Sequence, residues 1–145
     1  MKISIIEQAG CEKEIKIYCD QVDDEVLAIL AQLKRQEQRL VVFDQQHTKQ
    51  MLEPYTILYC EYVDRLVFIY TKDKIFTTSA SLAELETSLE PLGFIRGSKS
   101  VLVNVNEIDA LQSELGGRIR ATLSNQEIIQ ISRHYAKRLR QLLLK

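Results

Sequence analysis

Residues 93–108 read GFIRGSKSVLVNVNEI, and this stretch decides how the fold is interpreted. Its second half, VLVNVNEI, alternates apolar and polar side chains, which predicts a β-strand. Its first half, FIRGSKS, holds two cations, two hydroxyls and a glycine, which predicts a loop. Such a loop would project Arg96 and Lys99, and Gly97 would let the backbone approach a binding partner closely.

Strand patterns dominate the chain on both sides of this stretch. A helix is predicted at SLAELETSL, where Ser81 is the N-cap and Glu84 completes a capping box. A second helix, SRHYAKRLRQLLLK, closes the chain. The predicted strands are TILYCEY, RLVFIYT and KIFTT before the stretch, and EIDALQSEL, RIRATL and EIIQI after it. We therefore predict a mainly β fold with short helices.

The first 44 residues form a separate pattern. Strands are predicted at 2–8 and 14–19, followed by an amphipathic helix and a third strand at 40–44. A ββαβ unit of this size buries little core of its own, so we expect it to pack on the remaining chain or on a second copy. The predicted domains are an N-terminal extension, 1–47, and a main domain, 48–145.

Composition indicates an ordinary globular protein. Apolar residues make up 46% of the 145 positions and charged residues 27%. No apolar run is long enough to span a bilayer, and the N-terminus lacks the apolar core of a signal peptide, so we expect a cytoplasmic protein without membrane insertion. Three cysteines without C-x-x-C spacing are expected to be reduced and partly buried. His47 and His134 lie far apart, so neither a metal site nor another cofactor is expected.

Enzyme motifs are absent from the sequence. It contains no G-x-S-x-G, H-E-x-x-H or Walker pattern. Neighbouring carboxylates at Asp23/Asp24 and Glu84/Glu86 fall in predicted first helical turns, where acidic side chains are locally stabilising. We therefore expect no catalytic residues and no enzymatic activity.

Charge is unevenly distributed along the chain, although the net charge is −1. Residues 1–47 hold six Lys/Arg and nine Asp/Glu, whereas residues 94–145 hold nine Lys/Arg and four Asp/Glu. In the last predicted helix, Arg133, Lys137 and Arg140 share one face, which leaves a stripe of leucines for the core. This pattern favours a polyanion partner, and a solvated basic face is the alternative.

Four pieces of sequence stand in order between Ile57 and Leu143: ILYCEYVDRLVFIYT, SLAELETSL, GFIRGSKSVLVNVNEI and EIIQISRHYAKRL. Together they resemble the LytTR DNA-binding domain of bacterial transcription regulators. The resemblance implies elongated, stacked β-sheets that contact successive major grooves of double-stranded DNA with loops instead of a recognition helix. The implied contact residues are Asp64 and Arg65 in the VDR turn, Arg96, Ser98, Lys99 and Ser100 in FIRGSKS, and Arg133, His134, Lys137 and Arg140 in the last helix.

The resemblance also implies which of these residues contact phosphates and which contact base edges. Arg65, Lys99, Lys137 and Arg140 would neutralise phosphates, while Arg96, Arg133 and His134 would reach base edges. Asn104 is expected to brace the loop from within the fold. Many family members carry a histidine where this chain has Ser98. A protein-interaction adaptor or antirepressor with a degenerate DNA-binding surface is therefore the alternative.

The extension differs from the receiver domains that precede many such DNA-binding domains. Its 44 to 50 residues are too few for a receiver, so the chain resembles the small stand-alone type of regulator. We expect a homodimer on promoter repeats, formed through the exposed strands LVVFD and EIKIYC. The controlling signal could be abundance, a ligand or a regulatory partner protein.

Overall fold

The computed structural model describes residues 1–37 and 39–143. The helices are α1 (Asp24–Glu37), α2 (Leu82–Leu89) and α3 (Arg133–Leu143). The strands are β1 (Leu40–Phe43), β2 (Lys49–Leu52), β3 (Ile57–Val63), β4 (Leu66–Thr71), β5 (Ile75–Thr78), β6 (Phe94–Ser98), β7 (Val101–Asn104), β8 (Ile108–Ser113), β9 (Ile119–Leu123) and β10 (Ile128–Ile131). More of the described residues thus lie in short β-strands than in α-helices, as the sequence predicts.

Residues 1–34 form an N-terminal unit. The backbone N–H of Val26 donates to Oδ1 of Asp23 at 2.9 Å, which caps the start of α1. The strands predicted at 2–8 and 14–19 are wrong, because no strand forms in the described residues of this unit and residues 1–25 are exposed throughout. A two-stranded hairpin without a third strand or a packed face is marginal in water, which explains this outcome.

The second unit, residues 35–145, contains a seven-stranded sheet in the order β2-β1-β5-β4-β3-β7-β6. Its neighbouring strands are antiparallel throughout. Strand β1 pairs with β2 on one side and with β5 on the other, so the expected exposed strand LVVFD has no free edge. The strand predicted at 40–44 is therefore confirmed as β1, but it belongs to the sheet of the second unit and not to an N-terminal ββαβ unit. The domain division after residue 47 stays a prediction.

One face of the seven-stranded sheet is covered by α2. The hydroxyl of Ser81 accepts from the N–H of Glu84 at 3.1 Å, which confirms Ser81 as the N-cap. The helix buries Leu82, Leu85 and Leu89, whose i, i+3 and i+7 spacing puts them on one face. The buried sheet residues packed in this cluster are Val42, Ile57, Cys60, Val67, Ile69, Phe76, Phe94 and Leu102.

A second core lies on the other face of the same sheet. It joins the sheet to α3 and to an antiparallel three-stranded sheet in the order β10-β9-β8. The buried residues of this cluster are Leu58, Tyr59, Ile95, Val101, Val103, Ile119, Ala121, Leu123, Ile129, Ile131, Ala136 and Leu139. The second unit is thus built from stacked layers around two apolar cores.

Strand β7 is buried on both faces. Leu102 belongs to the core beneath α2, whereas Val101 and Val103 belong to the core beneath α3. Asn104 is only 2% exposed, and its Nδ2 donates to the carbonyl oxygen of Ile57 at 2.9 Å. The alternating pattern VLVNV therefore encodes a central strand with a satisfied buried amide, not a strand with one polar, solvated face.

Candidate nucleic-acid interface

Two hairpin turns meet at one end of the seven-stranded sheet. Strands β3 and β4 are joined by Asp64 and Arg65, whose φ values of 52° and 66° suit a tight two-residue hairpin turn. Strands β6 and β7 are joined by residues 99–100. Because β3 also pairs with β7, the N–H of Tyr62 donates to the carbonyl oxygen of Ser100 at 2.8 Å. The two turns are therefore adjacent.

The start of α3 reaches the same end of the sheet. The N–H of Ser132 donates to the carbonyl oxygen of Gly97 at 2.7 Å, immediately before the helix begins at Arg133. The three contact groups implied by the resemblance are thus linked through main-chain hydrogen bonds. The segments involved are Asp64–Arg65, residues 98–100 and residues 132–134.

Gly97 is buried in this arrangement. A Cβ atom at this position would lie 3.1 Å from Cδ1 of Ile131 and 3.3 Å from Cγ2 of Val103. The expectation that Gly97 lets the backbone approach a binding partner is therefore wrong. Its lack of a side chain lets β6 pack closely against β10.

The candidate contact residues differ in exposure. Ser98 and Ser100 are half-buried, and Arg96 is partly buried. The exposed candidates are Asp64, Arg65, Lys99, Arg133, His134, Lys137 and Arg140. These seven side chains could therefore meet a large ligand without a change in the fold.

Arg96 lies in strand β6, which corrects the prediction that it projects from a loop. Its Nε lies 3.1 Å from Oε2 of Glu86, and its Nη1 donates to the carbonyl oxygen of Lys99 at 2.6 Å. The side chain is only 17% exposed. Arg96 therefore links α2 to the β6–β7 turn. No local motif predicts that Glu86 is its partner.

The two serines brace the same turn from inside. The hydroxyl oxygens of Ser98 and Ser100 lie 3.4 Å apart, and the N–H of Ser100 donates to the Ser98 hydroxyl at 3.3 Å. A register shift between Arg96 and Ser98 places an irregularity of the β6–β7 pair just before the turn. Lys99 is left at the tip of the turn with an exposed side chain.

Helix α3 presents its cations away from the core. Ala136 and Leu139 are buried, whereas Arg133, Lys137 and Arg140 are exposed. Among the described residues, none of these three forms an ion pair, but Arg138 pairs with Glu90. The basic face predicted from the sequence is confirmed.

The leucine stripe predicted for α3 is only partly correct. Leu139 is fully buried and Tyr135 packs against the core. Leu142 and Leu143 are 44% and 43% exposed, so these two leucines do not contribute to the core as expected. Sequence spacing does not show where the layer beneath a terminal helix ends.

Asn104 braces a different part of the fold from the one expected. Its Oδ1 accepts from the N–H of Asn106 at 3.1 Å, and its backbone pairs with Phe94 at the start of β6. This is the end of the β6–β7 hairpin opposite the turn at 99–100. Asn104 thus holds the base of the hairpin to β3, while Arg96 and the serines hold its tip.

The described residues include one buried and two exposed cysteines. Cys60 is buried, and burial raises the pKa of its thiol to about 12. Cys11 and Cys19 are exposed, which corrects the expectation that the thiols are partly buried.

In the described part of the chain, no three His, Cys, Asp or Glu side chains are grouped to hold a metal ion. Residues 1–37 and 39–143 also include no helix with the length and apolar character of a membrane span.

Comparison with known proteins identifies the family. Residues 47–144 match the LytTr DNA-binding domain, which is more than half of the chain. The chain belongs to the LytTR family. The resemblance noted in the sequence and the mainly antiparallel β fold are both confirmed.

Relatives of this LytTR chain include the sensory transduction protein LytT of Bacillus cereus and that of Bacillus anthracis. Each is 30% identical over 87 residues, which are 60% of this chain and 35% of the relative. The match thus spans about a third of the length of these relatives. A solved LytTr DNA-binding domain from Bacillus cereus superposes with a TM-score of 0.67 at 26% identity, covering 72% of this chain and 95% of that one.

Proposed function

We propose that this LytTR chain is a sequence-specific transcription regulator that binds double-stranded DNA in the bacterial cytoplasm. The observation that supports it is the meeting of three exposed contact groups at one end of the seven-stranded sheet. Arg65, Lys99, Lys137 and Arg140 neutralise phosphates, which positions the protein on the duplex. Arg133 and His134 reach base edges, where a good bidentate contact discriminates by roughly 1–3 kcal/mol.

The remaining candidate residues contribute less directly to DNA binding. Asp64 lies beside Arg65 in the β3–β4 turn, where a carboxylate can accept from the amino group of cytosine. Ser98 and Ser100 use their hydroxyls within the turn, so they shape the surface more than they contact bases. Arg96 also shapes the surface, through its contact with Glu86 and its bond to the carbonyl oxygen of Lys99.

Selection of bound duplexes from a random DNA pool tests this function. The full chain is expected to enrich one sequence motif, and its affinity for that duplex is expected to fall steeply with salt. If about four phosphates are neutralised by each copy, the slope of log affinity against log salt is near −0.9 for each of them. Recovery of no motif, or an affinity that does not depend on salt, contradicts the proposal.

We also propose that the protein works as a homodimer through its N-terminal extension. Apolar side chains in this segment are strongly exposed, with Ile3 at 86%, Ile5 at 90%, Ile6 at 85% and Tyr18 at 89%. Monomeric proteins rarely leave such a concentration of apolar surface in water. These exposed apolar side chains are suited to burial against the same segment of a second copy. A dimer of this kind binds two promoter repeats.

Sedimentation velocity distinguishes a dimer from a monomer. Ile5→Asp is expected to shift the protein towards the monomer, because a carboxylate cannot be buried between two copies without a large cost. Ser4→Asp is the matched control, since it adds the same charge one position earlier in the segment. The dimer proposal fails if the wild-type protein is a monomer at the concentrations used for DNA binding.

The alternative function is a protein-interaction adaptor or antirepressor. The observation that favours it is Ser98, whose hydroxyl is directed into the turn instead of towards a ligand. Under this alternative, Lys99→Ala and Arg133→Ala leave cellular function intact. Under the DNA-binding proposal, the same substitutions weaken regulation of the target genes.

A further inference from the structure

The carboxylate of Glu86 lies next to the surface proposed to bind DNA. Repulsion between a carboxylate and DNA phosphates disfavours an acidic residue at this position. Glu86 lies on α2, and its Oε2 is 3.1 Å from Nε of Arg96. A surface carboxylate near phosphates repels them, so its removal would ordinarily strengthen binding. Its contact with Arg96 suggests a role that outweighs this repulsion.

We infer that Glu86 is a positioning residue for DNA binding, which acts through Arg96 on the β6–β7 turn. The inference rests on the proposed function. The carboxylate fixes one edge of the Arg96 guanidinium, and the opposite end of the same planar group donates from Nη1 to the carbonyl oxygen of Lys99. The rigid planar geometry of arginine transmits the position of α2 to the turn.

The turn is held at further points, which makes it a preorganised element. Ser98 and Ser100 cross-link it internally, Tyr62 bonds to the carbonyl oxygen of Ser100, and Ser132 bonds to that of Gly97. Only the Arg96 bond restrains the carbonyl of Lys99 among the described contacts. Glu86 holds Arg96 in position for this bond, so the loss of Glu86 weakens the restraint on the residue that carries the exposed cation. A turn that must be ordered during binding lowers affinity, because the ordering cost is then taken from the binding energy.

The burial of this pair supports a structural purpose. The side chains of Arg96 and Glu86 are 17% and 32% exposed, so water screens them less than the more exposed pair of Arg138 and Glu90, at 50% and 46%. Partly buried, charge-assisted hydrogen bonds hold geometry better than exposed ion pairs do. The pair is therefore suited to fix the direction in which Lys99 leaves the turn.

Three variants of the full chain separate positioning from electrostatics, with the duplex recovered from the random pool as the probe. Glu86→Ala is expected to bind this duplex about tenfold more weakly, because preorganisation is lost. Glu86→Gln keeps an oxygen acceptor without the charge and is expected to restore most of the affinity. Glu84→Ala removes an exposed carboxylate from the same helix and is expected to bind as tightly as the wild type or slightly more tightly.

A second readout reports on Lys99 directly. Binding of Glu86→Ala is expected to depend less on salt, with the slope of log affinity against log salt reduced by up to about 0.9. Arg96→Lys keeps the charge but loses the planar bridge, so it is expected to show the same loss. The double variant Glu86→Ala/Arg96→Lys is expected to be no weaker than either single one, because both act through one bridge. If Glu86→Ala proves unstable, Arg96→Lys takes its place in the affinity and salt-dependence measurements.

The outcomes distinguish this inference from the function on which it rests. If the wild-type protein enriches no DNA motif, the proposed function fails. If the wild type binds and Glu86→Ala binds as tightly as Glu84→Ala, only the positioning role is overturned. Equal losses in Glu86→Ala and Glu86→Gln, or additive losses in the double variant, also overturn it.

Discussion

The backbone N–H of Ser132 donates to the carbonyl oxygen of Gly97 at 2.7 Å, and this bond joins two segments proposed to contact DNA, although the bonded residues are 35 positions apart. It connects the strand that leads into the β6–β7 turn with the residue that precedes α3. The turn and the start of the helix therefore keep a fixed relative position. A duplex that contacts both meets a single rigid surface instead of two independent segments.

Close packing at Gly97 gives a stability prediction. Gly97→Ala is expected to lower the free energy of unfolding by about 1–3 kcal/mol, because the new Cβ overpacks a full core. Ile131→Val removes the Cδ1 atom that such a Cβ would approach to 3.1 Å. The double variant is therefore expected to lose less than the sum of the two single variants in urea unfolding. Additive losses would show that the strain lies elsewhere.

Asn104 gives a second prediction, which concerns a buried amide. Its side chain bonds to the carbonyl oxygen of Ile57 and to the N–H of Asn106. Asn104→Ala leaves both groups without their partner, at a cost of about 1–3 kcal/mol for each buried group that stays unsatisfied. Asn125→Ala is the control, since its side chain accepts one exposed bond from the N–H of Glu127. Equal midpoints of urea unfolding for the two variants would contradict the bracing role.

The cysteines give a prediction about pH and reactivity. Burial raises the pKa of Cys60 to about 12, so its thiol stays protonated in the folded protein at pH 8 and is shielded from reagents. Cys11 and Cys19 are exposed, and we expect them to react with a maleimide in the native state. Mass spectrometry should therefore find two labels on the folded protein and three after denaturation. Rapid native labelling of Cys60 would show that its core opens.

The raised pKa of Cys60 also affects the stability of the protein at alkaline pH. The unfolded thiol ionises near pH 9, the ordinary value, whereas the folded one keeps its proton to about pH 12. Between these values the folded state binds more protons than the unfolded state, so this group lowers stability as pH rises through the window. Below pH 9 both states are protonated, and Cys60 contributes no pH dependence there.

Much of the fold follows from local patterns that the sequence displays. The Ser81 cap, the β3–β4 turn at Asp64–Arg65 and the basic face of α3 are visible as short motifs, and the structure contains each of them. These features depend on residues only a few positions apart. Local rules of capping, turn geometry and helical spacing are sufficient to predict them.

Features that depend on distant partners are not predictable in this way. Residues 2–8 have a strand pattern but no partner strand in the N-terminal unit, so the pattern alone gives no strand. In the sequence, Gly97 indicates a flexible loop backbone. In the structure, a glycine is needed there because Ile131 and Val103 leave no room for a side chain. Arg96 is similar, because Glu86 comes from a helix ten residues earlier. Tertiary contacts thus assigned a packing or bracing role to residues that look like contact residues in the sequence.

We propose that the β6–β7 turn and the start of α3 bind DNA as one surface. Its most direct test is the salt dependence of binding to the selected duplex by the wild type, Lys99→Ala and Arg138→Ala. We predict a steep negative slope for the wild type, a slope less steep by about 0.9 for Lys99→Ala, and an unchanged slope for Arg138→Ala, whose cation pairs with Glu90. Equal slopes for the wild type and Lys99→Ala would contradict the account.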